Sequence, residues 1–248
     1  MLKKFHNFLN ENKKNNISNI IDYTHLKDDA SIDDIKQVCE TATENNNYTV
    51  CILPKFVATA SAFLEDSDVK ICTVISFPKG TDSTKNKVIE TNDCITAGAE
   101  EIDMVLDYKK LQSLDTLEEE KYQDIYDDLV QDVRSVTQVC HKNGIITKVI
   151  IETGALTYEQ IKVACDVCID AGADFVKTST GFLKSDDLLE KKLDKVKYMK
   201  RILPDYMKIK VSGGVRCYDD AVKFLPYVDR IGTSANMSND KVDTQNDY

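Results

Sequence analysis

No run in this sequence is apolar for long enough to cross a bilayer. The longest are strand-length, as in Val149-Ile150-Ile151, whereas a spanning helix needs roughly 20 residues. Basic charge is also in short supply. Lys and Arg number 32 against 42 Asp and Glu, a net charge of −10 with no long basic stretch, which argues against nucleic acid or an anionic membrane as partner. An anionic ligand must therefore be held by local amides and a few placed cations. Histidine is rare: His6, His25 and His141 lie far apart and form no ligand motif, so no catalytic metal and no other cofactor is expected. The segment MLKKFHNFLNENKKNN has no continuous apolar core and no small-residue cleavage site, so it does not read as a secretory signal. Paired-cysteine frameworks are missing too. The eight cysteines are scattered singly, mostly in apolar segments, as reduced thiols of a cytoplasmic protein are. Cys165 and Cys168 have C-x-x-C spacing, but they share a predicted helix face with Ile161, Ala164 and Ile169, and no second pair completes a zinc site.

What is present alternates. Leu2, Phe5, Phe8 and Leu9 form a helical stripe, predicting an extra helix over residues 1–16. Apolar strands then follow near Ile20–Thr24, Tyr48–Leu53, Val69–Ser76, Glu101–Leu106, Thr147–Ile151, Phe175–Lys177, Met207–Val211 and Val228–Ile231. Between them lie helical patterns with readable starts and stops. Ser31 with Asp34 opens a helix that runs to about Glu44, and Thr157 with Gln160 opens one that ends at Ala171-Gly172. Tyr122, Ile125, Leu129, Val133, Val136 and Cys140 recur at helical spacing, as do Leu189, Leu193, Val196, Met199 and Leu203. The strands are continuous apolar runs without hairpin signals, as in a parallel sheet covered on both faces. With no linker between halves, residues 1–248 read as one domain, a (β/α)₈ TIM barrel in the α/β class. An open doubly wound sheet is disfavoured because the turn Asp22 to Ala30 lacks a glycine-rich dinucleotide fingerprint. Residues 238–248 are polar and without period, so they read as a loose tail.

In a barrel the C-terminal strand ends converge on one mouth. Those positions here are Asp22, Asp103, Glu152, Lys177, Lys210 and the loops SGGVR and IGTSA. Several lysines and carboxylates facing one cavity are costly for a purely structural core. A lysine ending a buried strand, with a second ammonium near it, is disposed to lose its proton and attack a carbonyl carbon. The alternative is a strand-end lysine that snorkels to water. The glycine loops after strands seven and eight, Ser212-Gly213-Gly214 and Gly232-Thr233-Ser234, stand where barrels cradle a phosphate, and Arg216 could supply a bidentate cation.

The segments VCILP, SFPKG, AEEIDMVLD, KVIIETG, GADFVKTSTGF, KVSGGVR and RIGTSA resemble the deoxyribose-phosphate aldolase family from Asp22 to about Ser234. That resemblance implies reversible cleavage of 2-deoxy-D-ribose 5-phosphate into acetaldehyde and D-glyceraldehyde 3-phosphate, without metal. It implies Lys177 as the Schiff-base nucleophile, Lys210 as the neighbour that lowers its pKa, and Asp103 in the proton relay. Gly181, Ser212, Gly213, Gly214, Arg216, Gly232 and Ser234 would hold the phosphate, and Thr178 would line the sugar site. Lys148 and Glu152 would support the charge network. Ala235 stands where many relatives have a second serine. Cys51 reads as core packing, with a thiol open to reactive aldehydes as the alternative. The resemblance allows a homodimer, and it allows the terminal Tyr248 to assist proton transfer. Another Schiff-base aldolase or transaldolase, and a non-catalytic sugar-phosphate binder, are the competing readings.

Overall fold

The computed structural model describes residues 17–116, 118–183 and 188–237. The helix expected over 1–16 and the tail expected over 238–248, Tyr248 included, lie outside them. Eight strands form the centre: β1 (Ile21–His25), β2 (Thr49–Ile52), β3 (Lys70–Ile75), β4 (Glu101–Val105), β5 (Ile146–Ile150), β6 (Phe175–Lys177), β7 (Lys208–Ser212) and β8 (Arg230–Thr233). Each pairs in parallel with the next, and β8 returns to β1, so the sheet closes in chain order. This is the expected barrel.

Local chemistry sets the helices that cover it. Ser31 accepts from the amide of Asp34 while the Asp34 carboxylate takes the Ser31 amide, a complete capping box at the start of Ile32–Glu44. Thr157 and Gln160 repeat the device at the start of Tyr158–Ala171, which Gly172 ends at φ 77°. Cys165 and Cys168 are buried on that helix. A short helix, Tyr108–Ser113, was not predicted; the segment reads only as acidic and polar. It forms because Asp107 caps it, accepting from the Lys110 amide at 3.0 Å, and because Tyr108, Leu111 and Leu114 bury at three-residue spacing.

Strand alternation sorts the residues into two environments. Outward-facing Val50, Ile52, Ile71, Ile102, Met104, Val149, Val176, Ile209, Val211 and Ile231 join the apolar helix faces in one large cluster. Each such side chain contributes about 1.5–3 kcal/mol on burial. Inside the barrel the apolar filling is modest: Leu26, Cys51, Cys72 and Val74 cluster there, and Val105, Ile150 and Phe175 are buried on the same strand faces as Asp103, Lys148 and Lys177. The rest of that interior holds Asp22, Glu101, Asp103, Lys148, Lys177, Lys210 and Arg230, none more than 5 % exposed. Burying charge costs several kcal/mol per ion unless it is paired, so their mutual geometry decides whether this interior is stable.

The loops at the barrel mouth are tightly drawn. Gly80 has φ +72°, its amide donates to the Ser76 carbonyl at 2.7 Å, and a Cβ there would run into the Leu106 carbonyl. Ser76 and Glu152, the residues just past β3 and past Ile151, both have φ 55°. Non-glycine residues pay strain in that region, and these two flank the mouth.

Candidate active site

Asp103 is the centre of the buried network. It sits mid-strand on β4, in register with Lys148 of β5, while Lys177 of β6 pairs with Lys210 of β7. Three ammonium groups therefore meet one carboxylate. Lys177 Nζ and Lys210 Nζ both donate to Oδ2 at 2.7 Å, and Lys148 Nζ donates to Oδ1 at 2.8 Å. Burial pushes the Asp103 carboxyl up, but Lys148, Lys177 and Lys210 outweigh it and hold the group well below the carboxylate range. Burial likewise disfavours the charged forms of Lys210 and Lys148. Asp103 and Asp22 win at Lys210, and Asp103, Cys72 and Glu101 win at Lys148, so both stay protonated well above the usual lysine value.

A second tier of charges supports the first. Lys210 lies 2.5 Å from Asp22 Oδ2, Arg230 is 2.6 Å from Asp22 Oδ1 and 2.7 Å from Glu101 Oε2, and Lys148 is 2.7 Å from the same Glu101 oxygen. Asp22, Asp103 and Lys210 were expected at the mouth, at the ends of their strands. Asp103 and Lys210 are instead mid-strand on β4 and β7, off the cavity wall, and Asp22 is the second residue of β1, which continues to His25, and so lies deep beside Lys210 and Arg230. Glu101 and Arg230 were not picked out. Their signal was available: each stands two residues from an inward position, Asp103 and Gly232, on the same strand face.

Above this network opens a cavity of about 290 Å³. Of the three lysines around Asp103, only Lys177 lines it, together with Thr24, Leu26, Thr180, Gly181 and the loop residues 212–216 and 232–234. The predicted residues Gly181, Ser212, Gly213, Gly214, Arg216, Gly232 and Ser234 are thus brought together around one space. Thr178 is not part of its wall. It is fully buried, donating to the Ser212 carbonyl at 3.2 Å and accepting from the Ser212 amide at 3.0 Å, and so ties β6 to β7. Arg216 is exposed at the rim, with its backbone amide on Asp220 at 3.2 Å. Glu152 accepts from both the amide and the hydroxyl of Thr180, fixing the loop after β6; burial raises its carboxyl against those bonds. Ala235 is buried and its amide is already committed to Thr233 Oγ1 at 3.0 Å.

Cys51 packs inside the barrel, fully buried and in register with Cys72. The Cys72 thiol, hydrogen-bonded to it, brings the Cys51 thiol down to about 7 against the effect of burial, whereas burial and Cys51 push Cys72 well up. Both sulfurs and a carboxylate oxygen of Asp103 lie within 4.8 Å of one another. The donor set suits a cation poorly, because three ammonium groups already occupy Asp103 and would repel one.

Known proteins resemble this chain over most of its length. Residues 19–233 match the model of the DeoC/LacD family aldolases. The deoxyribose-phosphate aldolase of Ureaplasma urealyticum serovar 10 is 40% identical over 222 residues, 89% of this chain and 96% of that protein. The enzyme of the same name from Caldanaerobacter subterraneus subsp. tengcongensis is 39% identical over 96% of this chain and 95% of its own length. Among solved structures, the deoxyribose phosphate aldolase of Aeropyrum pernix superposes with a TM-score of 0.76 at 27% identity, covering 90% of this chain and 88% of that one. With residues 19–233 matched, a lysine and two glycine loops lining one cavity and a carboxylate behind the lysine, the chain belongs to the DeoC/LacD family of aldolases.

Proposed function

We propose that this protein cleaves 2-deoxy-D-ribose 5-phosphate reversibly into acetaldehyde and D-glyceraldehyde 3-phosphate through a Schiff base on Lys177. The observation that carries the reading is that Lys177 alone, of the three lysines on Asp103, lines the cavity. The Lys177 ammonium gives one proton to a water in the cavity, the free amine adds to the aldehyde carbon of the open-chain sugar, and loss of water gives an iminium. The iminium withdraws electrons from the bond between the second and third carbons. That bond breaks as the third carbon's hydroxyl gives up its proton, leaving an enamine on Lys177 and releasing glyceraldehyde 3-phosphate. Protonation of the enamine carbon and hydrolysis then free acetaldehyde.

Asp103, with a water, serves these proton movements, and its negative charge stabilises the iminium. Lys210 and Lys148 keep their own protons, so they shape the field without competing for the aldehyde. The phosphate goes to the glycine loops of the same cavity, where Gly181, Gly213, Gly214, Gly232 and Ser234 offer amides or hydroxyl and Arg216 a guanidinium. Reduction with borohydride in the presence of acetaldehyde, followed by peptide mass mapping, tests the reading. A stable ethyl adduct on Lys177 is expected. Active protein with no adduct at Lys177 removes the mechanism.

A cytoplasmic location and a homodimer belong to the same proposal. Free thiols at all eight cysteines suit a reducing compartment, and no helix among the described residues is long and apolar enough to cross a membrane. The Aeropyrum pernix protein is described as a unique tetramer. Light scattering on the purified chain decides the number of subunits.

A further inference from the structure

Lys192 lies in the first turn of the helix Leu189–Ile202 and is buried. Its Nζ donates to the Ser212 carbonyl at 2.9 Å and to the Gly213 carbonyl at 2.5 Å. These belong to consecutive peptide groups. In a trans peptide the C=O and N–H point to opposite sides. Drawing both carbonyls toward Lys192 therefore turns the amides of Gly213 and Gly214 the other way, and both residues line the cavity. Gly213 and Gly214 have φ +75° and +79°, a conformation that only glycine adopts readily. A Cβ on Gly213 would stand 3.1 Å from Lys192 Nζ and 3.4 Å from the Cα of Gly181. The ammonium thus sits in the wedge between the loops after β6 and β7, behind the wall of the cavity.

The arrangement has an electrostatic consequence. A peptide whose carbonyl accepts from an ammonium is polarised along its length, and its N–H becomes a stronger donor. Two such peptides in series make a better anion cradle than two glycine amides alone. We propose that Lys192 is a positioning residue of the phosphate end of the site, orienting and polarising the Gly213 and Gly214 amides and adding a positive charge behind them. This rests on the reaction proposed above and adds a specificity residue to it. The ligand group it favours is a terminal phosphate dianion.

The test compares wild type, Lys192→Gln, Lys192→Met and Lys192→Arg on 2-deoxy-D-ribose 5-phosphate and on unphosphorylated 2-deoxy-D-ribose. The ratio of kcat/KM for the phosphorylated over the plain sugar should fall about 10- to 100-fold in Lys192→Gln and Lys192→Met, mostly through KM, and recover in large part in Lys192→Arg. Affinity for inorganic phosphate, measured by calorimetry, should fall with it. A purely structural lysine would lower both sugars equally and leave the ratio where it was, and that outcome overturns the proposal. Lys192→Gln keeps a donor and much of the packing, so it remains informative if Lys192→Met does not fold. If wild type turns over neither sugar, the reaction itself is at fault. The phosphate titration then still reads Lys192: affinity unchanged by Lys192→Gln overturns its role.

Discussion

Lys177 and Lys210 donate to the same oxygen, Asp103 Oδ2, each at 2.7 Å. The two differ in what else they touch. Lys210 has a second carboxylate in Asp22 and is fully buried, whereas Lys177 faces the cavity. Their loss should therefore read differently. Lys177→Leu should abolish both turnover and the borohydride-trapped adduct. Lys210→Leu should still form the adduct at Lys177 while turnover falls by about 10²- to 10³-fold, the usual worth of one preorganised charge beside the reacting atoms. An adduct that moved to Lys210 in wild-type protein would reverse the assignment.

The Asp103 carboxylate should matter to folding as well as to turnover. Asp103→Asn leaves three ammonium groups around a neutral amide in a buried site. Removing one partner from a buried ionic network costs about 3–5 kcal/mol. Urea titration of the variant at neutral pH should show a loss of that size. A change below about 1 kcal/mol would mean that water or a counter-ion enters the barrel readily.

Acid should loosen the same interior. Burial raises the Asp22 carboxyl, but Lys210 and Arg230 outweigh it and bring it from 3.8 down to about 2. A carboxylate depressed in the folded state stabilises the protein above its unfolded value and loses that contribution as pH falls toward its folded one. For Asp22 this amounts to roughly 2 kcal/mol, given up between about pH 4 and pH 2. Asp103 shifts in the same direction and adds to the slope. Unfolding free energy measured across that window should drop steeply in wild type and less steeply in Asp22→Asn. Identical slopes in the two proteins would place the acid sensitivity elsewhere.

Much of this was legible in the chain because alternation along a strand says which side chains meet. Lys177, Lys210 and Asp103 could be placed together from three strands whose outward residues are plainly apolar. Ser31-Asp34 and Thr157-Gln160 announced their helices through local hydrogen bonds. Asp22 was misplaced because its depth depends on where β1 stops, and a strand end depends on its neighbours rather than on its own residues. Lys192 was overlooked although it lies on the apolar stripe of its helix, three residues after Leu189 and four before Val196. A lysine on a buried stripe is itself the signal. What no local pattern could supply was its target, since the carbonyls of Ser212 and Gly213 are about 20 residues away and reach it only once the barrel closes.

Gly80 gives a test of how firmly the mouth is drawn. Its φ of +72° is unfavourable for any other residue, and a Cβ would overlap the Leu106 backbone just past β4. Gly80→Ala should therefore cost about 2–4 kcal/mol, from backbone strain plus displacement of the strand end. Because β4 carries Asp103, turnover should suffer alongside stability. Full activity with a loss of less than about 0.5 kcal/mol would show that the loop yields without moving the strand.

Arg216 should act on binding alone. It is exposed at the rim of the cavity, where solvent weakens the pull of a guanidinium on a bound phosphate. Arg216→Gln is expected to raise KM for the phosphorylated sugar by about tenfold while kcat stays within a factor of two, the pattern of an interaction made equally with substrate and transition state. The charge is also open to screening by salt, so wild-type KM should climb as ionic strength rises from about 0.01 to 0.5 M, and the variant's KM should climb less. If the variant instead lost kcat with KM unchanged, Arg216 would be reaching the reacting carbons. The phosphate would then have to be turned away from the glycine loops, and the orientation of the sugar in the cavity would be reversed.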